Sequence, residues 1–376
     1  MENTKQTSDR NRTVIRTGII GIVTNVLLAA FKAAVGILSS SVSVILDAVN
    51  NISDAASSVI TIAGTKLAGK DADRKHPYGY GRVEYLSALV ISIIVLYAGI
   101  TSLIESVKKI IDPITPDYST VSLIIIGVAI LAKIVLGTYT KKTGEKVKSD
   151  SLVNSGKDAL LDSIISTSTL IAAFIFIFTG FSVEAYLGAL ISLVIIKSGV
   201  EMVRETISKL LGERAEGELI TAVKATVKSF DEVSGAYDLI LHNYGPDSYQ
   251  ASVHMEVSDQ LTAGQIDILT RKISDAVYKK HNVILTGVGI YAVNSTDKDA
   301  VEAREKIREV VCAIEHVIQM HGFYMDKINK VIRFDMVVSF DAKSRKEVSL
   351  KAQNAVKELY PDYMVHIALD FDFSET

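Results

Sequence analysis

Six apolar stretches, each long enough to cross a lipid bilayer, dominate the first half of this 376-residue chain. A helix needs about 20 apolar residues to cross the hydrocarbon core. The stretches that reach about this length are residues 17–38, 42–67, 85–107, 121–139, 160–178 and 185–203. They predict a bundle of six transmembrane helices, because a helix satisfies its own backbone hydrogen bonds where water is absent.

Lysine and arginine residues fall on alternate connections between these stretches. They precede the first, lie between the second and third and between the fourth and fifth, and follow the sixth. The other connections, around residues 39–41, 112–118 and 179–184, carry none. The positive-inside rule therefore predicts a multi-pass protein of the cell membrane with both termini in the cytoplasm. We expect residues 1–16, which are polar and basic, to form a cytoplasmic N-terminal segment ahead of a transport domain at 17–211.

The chain becomes soluble in character after about residue 212. Residues 212–295 alternate between helix and strand patterns in the order αββαβ, and the same order recurs in residues 296–376. We therefore predict an α+β cytoplasmic domain followed by a second, degenerate copy. The net charge of −3 gives no indication of nucleic-acid binding, and the single cysteine excludes an intramolecular disulfide.

Polar residues with a repeated spacing interrupt two of the apolar stretches. Asn50 and Asp54 lie four residues apart in the second, and Asp158 and Asp162 repeat this spacing at the start of the fifth. Residues four apart share one helix face, so each pair presents two oxygen-bearing side chains together. The two helices run antiparallel, and the pairs lie at matching depths. A carboxylate in the bilayer costs roughly 2.5–3.5 kcal/mol, so we expect these four residues to form a shared site that offsets the cost.

A divalent metal explains both the charge and the spacing of these four side chains. Oxygen ligands favour Mn²⁺, Mg²⁺ or Fe²⁺, and the absence of histidine from all six stretches argues against zinc. The alternative is an interhelical hydrogen-bond cluster with protonated aspartates, a costly way to join helices without a buried cation. The lone lysines of the stretches, Lys32, Lys133 and Lys197, are each expected to extend towards an interface.

The segment HPYGYGRVEYLSA at residues 76–88, together with the paired motifs, resembles the cation diffusion facilitator family of metal/proton antiporters. The resemblance implies a ferredoxin-like cytoplasmic domain, a homodimer, and a transport site formed by Asn50, Asp54, Asp158 and Asp162. Zinc-transporting members usually carry histidine in one of these positions. The asparagine and aspartate found here are similar to the manganese-exporting branch.

The resemblance also bears on the other candidate metal ligands. Asp73 and His76 match part of a loop site found in some zinc members, but Tyr80 stands where a further histidine would be. We therefore predict a structural role for this loop. The cytoplasmic histidines are scattered, and we expect them to be ordinary surface or core residues.

The function predicted from the sequence is export of Mn²⁺ from the cytosol in exchange for protons, by a secondary transporter rather than an enzyme. The metal is the cargo, and no prosthetic group is expected. Protons would neutralise the empty site, and metal entering from the cytoplasm would displace them. One alternative is the same antiporter acting on Fe²⁺, Zn²⁺ or Cd²⁺, and another is a membrane-anchored metal sensor. An ATP-driven pump is disfavoured because the chain has no GxxxxGK[ST] loop.

Overall fold

A computed structural model of the protein describes residues 2–38, 42–112, 120–179, 183–215, 217–246 and 248–371. Within these ranges the side chains of residues 2–8, 35–38, 42–50, 53, 121–122, 169 and 184 lie outside the description. The chain divides into two compact units, one formed by residues 1–213 with 244–247 and the other by 214–243 with 248–376.

The first unit is a bundle of long helices. Their bounds are α1 (Glu2–Leu38), α2 (Val42–Ala68), α3 (Val83–Ile111), α4 (Thr120–Lys146), α5 (Asp150–Thr179) and α6 (Glu184–Leu211). Among the described residues, α1 and α3 to α6 supply five helices that are long and apolar enough to span a membrane. Helix α2 matches them in length with 27 residues. The predicted membrane architecture is confirmed.

Two of the predicted helix starts are wrong. Helix α1 begins at Glu2 and α5 at Asp150, whereas hydropathy placed them at residues 17 and 160. Hydropathy marks the part of a helix that is apolar, but backbone hydrogen bonding continues through polar residues that favour helix. As a result, Asp158 lies more than two turns inside α5 and is held by a regular helix.

Close backbone contact joins α4 to α5. A Cβ atom at Gly156 on α5 would lie 2.5 Å from the backbone nitrogen of Lys141 on α4. A Cβ atom at Gly137 on α4 would lie 3.0 Å from the carbonyl oxygen of Gly156. The absence of side chains at these two positions lets the helices approach closely, as small residues do in membrane bundles.

The second unit contains two copies of one αββαβ arrangement, and the predicted fold is confirmed in both. The first comprises α7 (Gly217–Val227), β1 (Val233–Asn243), β2 (Tyr249–Ser258), α8 (Ala263–His281) and β3 (Val283–Val293). The second comprises α9 (Lys298–Cys312), β4 (Val317–Asp326), β5 (Val331–Val338), α10 (Arg345–Leu359) and β6 (Met364–Phe371). Each sheet pairs its first two strands antiparallel and its last two parallel, and each copy has its own buried apolar core.

The two copies also match in the irregularities of their first strands. Tyr237 pairs with His254 immediately before a bulge in β1, and His321 pairs with Asp335 immediately before a bulge in β4. The next residue has a positive φ in both copies, +50° at Asp238 and +62° at Gly322. Such a shared local distortion is expected of a true structural repeat, since bulges are specific features of a fold.

Candidate metal centre

Lys133 of α4 lies between two of the predicted ligands, Asp54 of α2 and Asp162 of α5. Its Nζ atom donates a hydrogen bond to Asp54 Oδ2 and another, 2.7 Å long, to Asp162 Oδ2. Lys133 is 4% exposed. The prediction that Lys133 extends towards an interface is therefore wrong, because two carboxylates within reach stabilise its ammonium group inside the bundle.

Asp158 joins the same group of charges. It lies one helical turn before Asp162 on α5, and it lines a cavity together with Asp54. Its carboxylate interacts electrostatically with Asp54, Asp162 and Lys133. The structure thus brings together the three carboxylates that the sequence singled out.

Asn50, the fourth predicted ligand, lies on α2 one turn before Asp54. Its side chain is outside the described part of the structure, as is that of Asp47. The role of Asn50 in the site therefore stays a prediction.

Further polar side chains line the cavity beside Asp54 and Asp158. Asn25 of α1 is 4% exposed, and its Oδ1 atom is buried without a hydrogen-bond partner. The hydroxyl oxygen of Thr17 is buried in the same state. Thr61 of α2 lies 3.2 Å from Ser155 of α5, hydroxyl to hydroxyl. The cavity is therefore lined by oxygen atoms, which suits a small hydrated cation.

The other two lysines of the apolar stretches differ from each other. Lys32 is 5% exposed, and its Nζ donates to Asn51 Oδ1 at 3.4 Å. The prediction that Lys32 extends to an interface is also wrong. Lys197 lies on the surface of α6 with 79% of its side chain exposed, 3.8 Å from Glu201.

The charges of the site do not balance within the chain. Asp54, Asp158 and Asp162 carry three negative charges when ionised, and Lys133 supplies one positive charge. The excess of two matches one divalent cation or two protons. An unbalanced charge in an apolar bundle is costly, so this centre is built to bind cations.

The loop before α3 uses Asp73 for its own structure. Asp73 Oδ1 accepts hydrogen bonds from the backbone N–H groups of Lys75 and His76, at 3.0 and 2.9 Å. Its Oδ2 accepts a 2.5 Å hydrogen bond from the Tyr80 hydroxyl. The Tyr80 bond and the His76 N–H hold the pKa of Asp73 well below its usual range. Both carboxylate oxygens therefore stabilise the turn, in keeping with the structural role predicted for this loop.

A second polar cluster lies between the two αββαβ copies. Asp238, His321, Asp335 and Asp370 bring one ligand-type atom each within 4.8 Å of one another. His321 Nε2 lies 3.1 Å from Asp238, and the Tyr291 hydroxyl donates to Asp238 at 2.7 Å and to Asp335 at 2.5 Å. Hydrogen bonds within the chain thus occupy these carboxylates and join the first copy to the second.

His321 is charged at neutral pH in this cluster. Burial alone would lower its pKa, but hydrogen bonds to Asp238 and Asp370 outweigh burial and raise the pKa to about 9. The sequence gave no reason to single out His321. Its signal is the register of β4, which places it opposite Asp335 just as Tyr237 lies opposite His254.

An acidic centre inside a bundle of apolar helices, followed by a soluble α+β unit, is the architecture of an integral membrane protein that handles cations. Comparison with known families gives the class more closely. The profile of the cation efflux transmembrane domain matches residues 18–211, and that of the cation efflux protein cytoplasmic domain matches residues 215–286. The chain belongs to the cation efflux family, whose members transport divalent metal cations.

Named relatives differ in their metals. The manganese efflux system proteins MneP and MneS of Bacillus subtilis are 24% and 27% identical to this chain. Their matches cover 73% and 70% of this chain and 94% and 91% of the relatives. A cadmium, cobalt and zinc/H(+)-K(+) antiporter of Bacillus velezensis is 24% identical over 70% of this chain and 83% of its own length.

Proposed function

We propose that this transporter exports Mn²⁺ from the cytosol in exchange for protons, through a site formed by Asn50, Asp54, Asp158 and Asp162. The observation that carries the proposal is the convergence of three aspartates, with two negative charges in excess, inside the apolar bundle. A site that must be balanced by two positive charges can alternate between one divalent metal and protons.

The donor atoms support manganese as the cargo. Asp54, Asp158 and Asp162 offer carboxylate oxygens, and no histidine or cysteine occurs between residues 17 and 75 or between residues 83 and 211. Oxygen-rich sites suit Mn²⁺ and Mg²⁺, whereas Zn²⁺ sites generally include imidazole or thiolate. Two relatives named as manganese efflux proteins agree with this choice. The relative named for cadmium, cobalt and zinc makes Zn²⁺ and Cd²⁺ the rival cargoes.

The exchange works by competition for the same oxygens. Metal arriving from the cytoplasm would displace protons from the three aspartates, since a metal ligand must be deprotonated. Movement of the helix bundle would then expose the loaded site to the outer side, where protons displace the metal. The alternating positions of basic residues support cytoplasmic termini in the cell membrane. The match to the family's cytoplasmic domain supports a homodimer.

The proposal is tested by flux into proteoliposomes that contain the purified full-length protein and a pH gradient. We expect Mn²⁺ transport that depends on the gradient and exceeds Zn²⁺ transport at equal concentration. Asp158→Asn should abolish it, because the amide cannot carry the charge that the metal requires. Glu201→Gln on α6 is the matched control, since the Glu201 side chain is 59% exposed and remote in sequence from the site.

Two results would count against the proposal in different ways. Equal flux of Zn²⁺ and Mn²⁺ would overturn the assignment of the metal and leave the site in place. Wild-type flux in Asp158→Asn would overturn the site itself.

A further inference from the structure

Lys133 occupies the place in the bundle that a transported metal would need. Its ammonium group hydrogen-bonds to one oxygen of Asp54 and one oxygen of Asp162, on two different helices. A hard divalent cation bound to the same two oxygens would lie roughly 2.0–2.6 Å from each. The Lys133 nitrogen is 2.7 Å from Asp162 Oδ2, so the metal and the ammonium would occupy nearly the same point.

Two positive charges cannot share that point. Their repulsion at a separation of a few ångströms, in a medium less polar than water, far exceeds thermal energy. Binding of metal between Asp54 and Asp162 therefore requires Lys133 to release at least one of them.

We propose that Lys133 is a tethered cation that fills the empty transport site and competes with the metal for Asp54 and Asp162. This inference rests on the proposed function and deepens it. The lysine lowers the affinity of the site, and its return to the two carboxylates drives release of the metal. Lys133 is thus a residue that sets affinity and turnover, with no direct bond to the cargo.

A purely structural role for Lys133 predicts the opposite sign. If Lys133 served only to join α2, α4 and α5, its removal would disorder the carboxylates and weaken metal binding. If it competes with the metal, its removal leaves both carboxylates available and tightens binding. The direction of the change in affinity therefore decides between the two roles.

The experiment is calorimetric titration of the purified full-length protein with Mn²⁺, repeated with Zn²⁺. We expect Lys133→Met to lower the Kd of the binding event that Asp54→Asn abolishes by about tenfold or more, because one positive charge beside a divalent cation is removed. In proteoliposomes the same variant should show a lower KM together with a lower kcat, since release becomes slow. Lys197→Met is the matched control, because it removes an exposed lysine from another apolar helix.

Lys133→Gln guards against loss of folding in the methionine variant. Its neutral amide can still hydrogen-bond to the carboxylates, so the same tightening is expected if charge is the cause. A Kd equal to or weaker than that of the wild type in the folded variants would overturn the inference. If Asp54→Asn meanwhile loses binding, the proposed function stands without it. If Asp54→Asn binds metal as the wild type does, the proposed site has failed as well.

Discussion

Arg10 is the residue whose loss we expect to destabilise the helical unit most clearly. Its guanidinium group makes two hydrogen bonds to Glu84 of α3, at 2.9 and 3.0 Å. It also donates to the carbonyl oxygens of Val147 and Lys148, in the turn between α4 and α5, at 2.7 and 2.9 Å. One side chain on α1 therefore joins three other parts of the unit.

The magnitude follows from the burial of this ion pair. Glu84 is 0% exposed, and the Arg10 side chain is 11% exposed. Arg10→Met would leave a buried carboxylate without its partner, which costs about 3–5 kcal/mol. In a protein of this size, such a loss corresponds to a fall in melting temperature of roughly 10 °C.

The assay is size-exclusion chromatography of the detergent-solubilised protein after heating, which reports the fraction still folded at each temperature. Arg12→Met is the matched control, because Arg12 is exposed on the same helix two residues away. The double variant Arg10→Met/Glu84→Gln should recover at least half of the loss, since the buried charge is removed. The reasoning is refuted if Arg10→Met melts no lower than Arg12→Met, or if the double variant recovers nothing.

Three further changes are expected in the same melting assay. Gly156→Ala should cost about 1–3 kcal/mol through overpacking of α4 against α5, whereas Gly127→Ala, whose Cβ would meet nothing within 4 Å, should cost little. The contribution of His321 should be fully present below about pH 6.5 and lost as the pH rises through 9, a change of about 3 kcal/mol that His321→Gln removes. Arg304→Met should cost about 3–5 kcal/mol, because Glu256, 1% exposed and 3.0 Å from Arg304, would remain buried without its cation.

Hydropathy and the positions of the charges were sufficient to predict the helices of the membrane unit. Transfer of apolar side chains from water to lipid depends on composition along the chain, and tertiary contacts hardly alter it. The order of elements in both αββαβ copies was predictable for a similar reason, since alternation with a period of two or 3.6 residues is a local property. The helix starts were wrong because polar residues can extend a helix beyond the apolar stretch.

The partner of Lys133 could not be predicted from hydropathy. A lysine in an apolar stretch can extend to an interface or bond to a buried acid, and the outcome depends on which helices adjoin it. One signal was present in the sequence. Lys133 lies 15 residues before Lys148 and Asp162 lies 14 residues after it, so an antiparallel hairpin turning there places the two at the same depth. Asn25 and Asp54 are spaced in the same way about Ser40.

The repeated cytoplasmic unit changes how the surfaces between its halves can evolve. When two identical chains meet about a two-fold axis, every substitution appears on both sides of the contact at once. Here the facing halves are encoded separately, and the two matched family domains end at residue 286, before the second half begins. Asp335 can therefore change while its counterpart His254 stays the same. Each face of this contact is open to selection independently of the other.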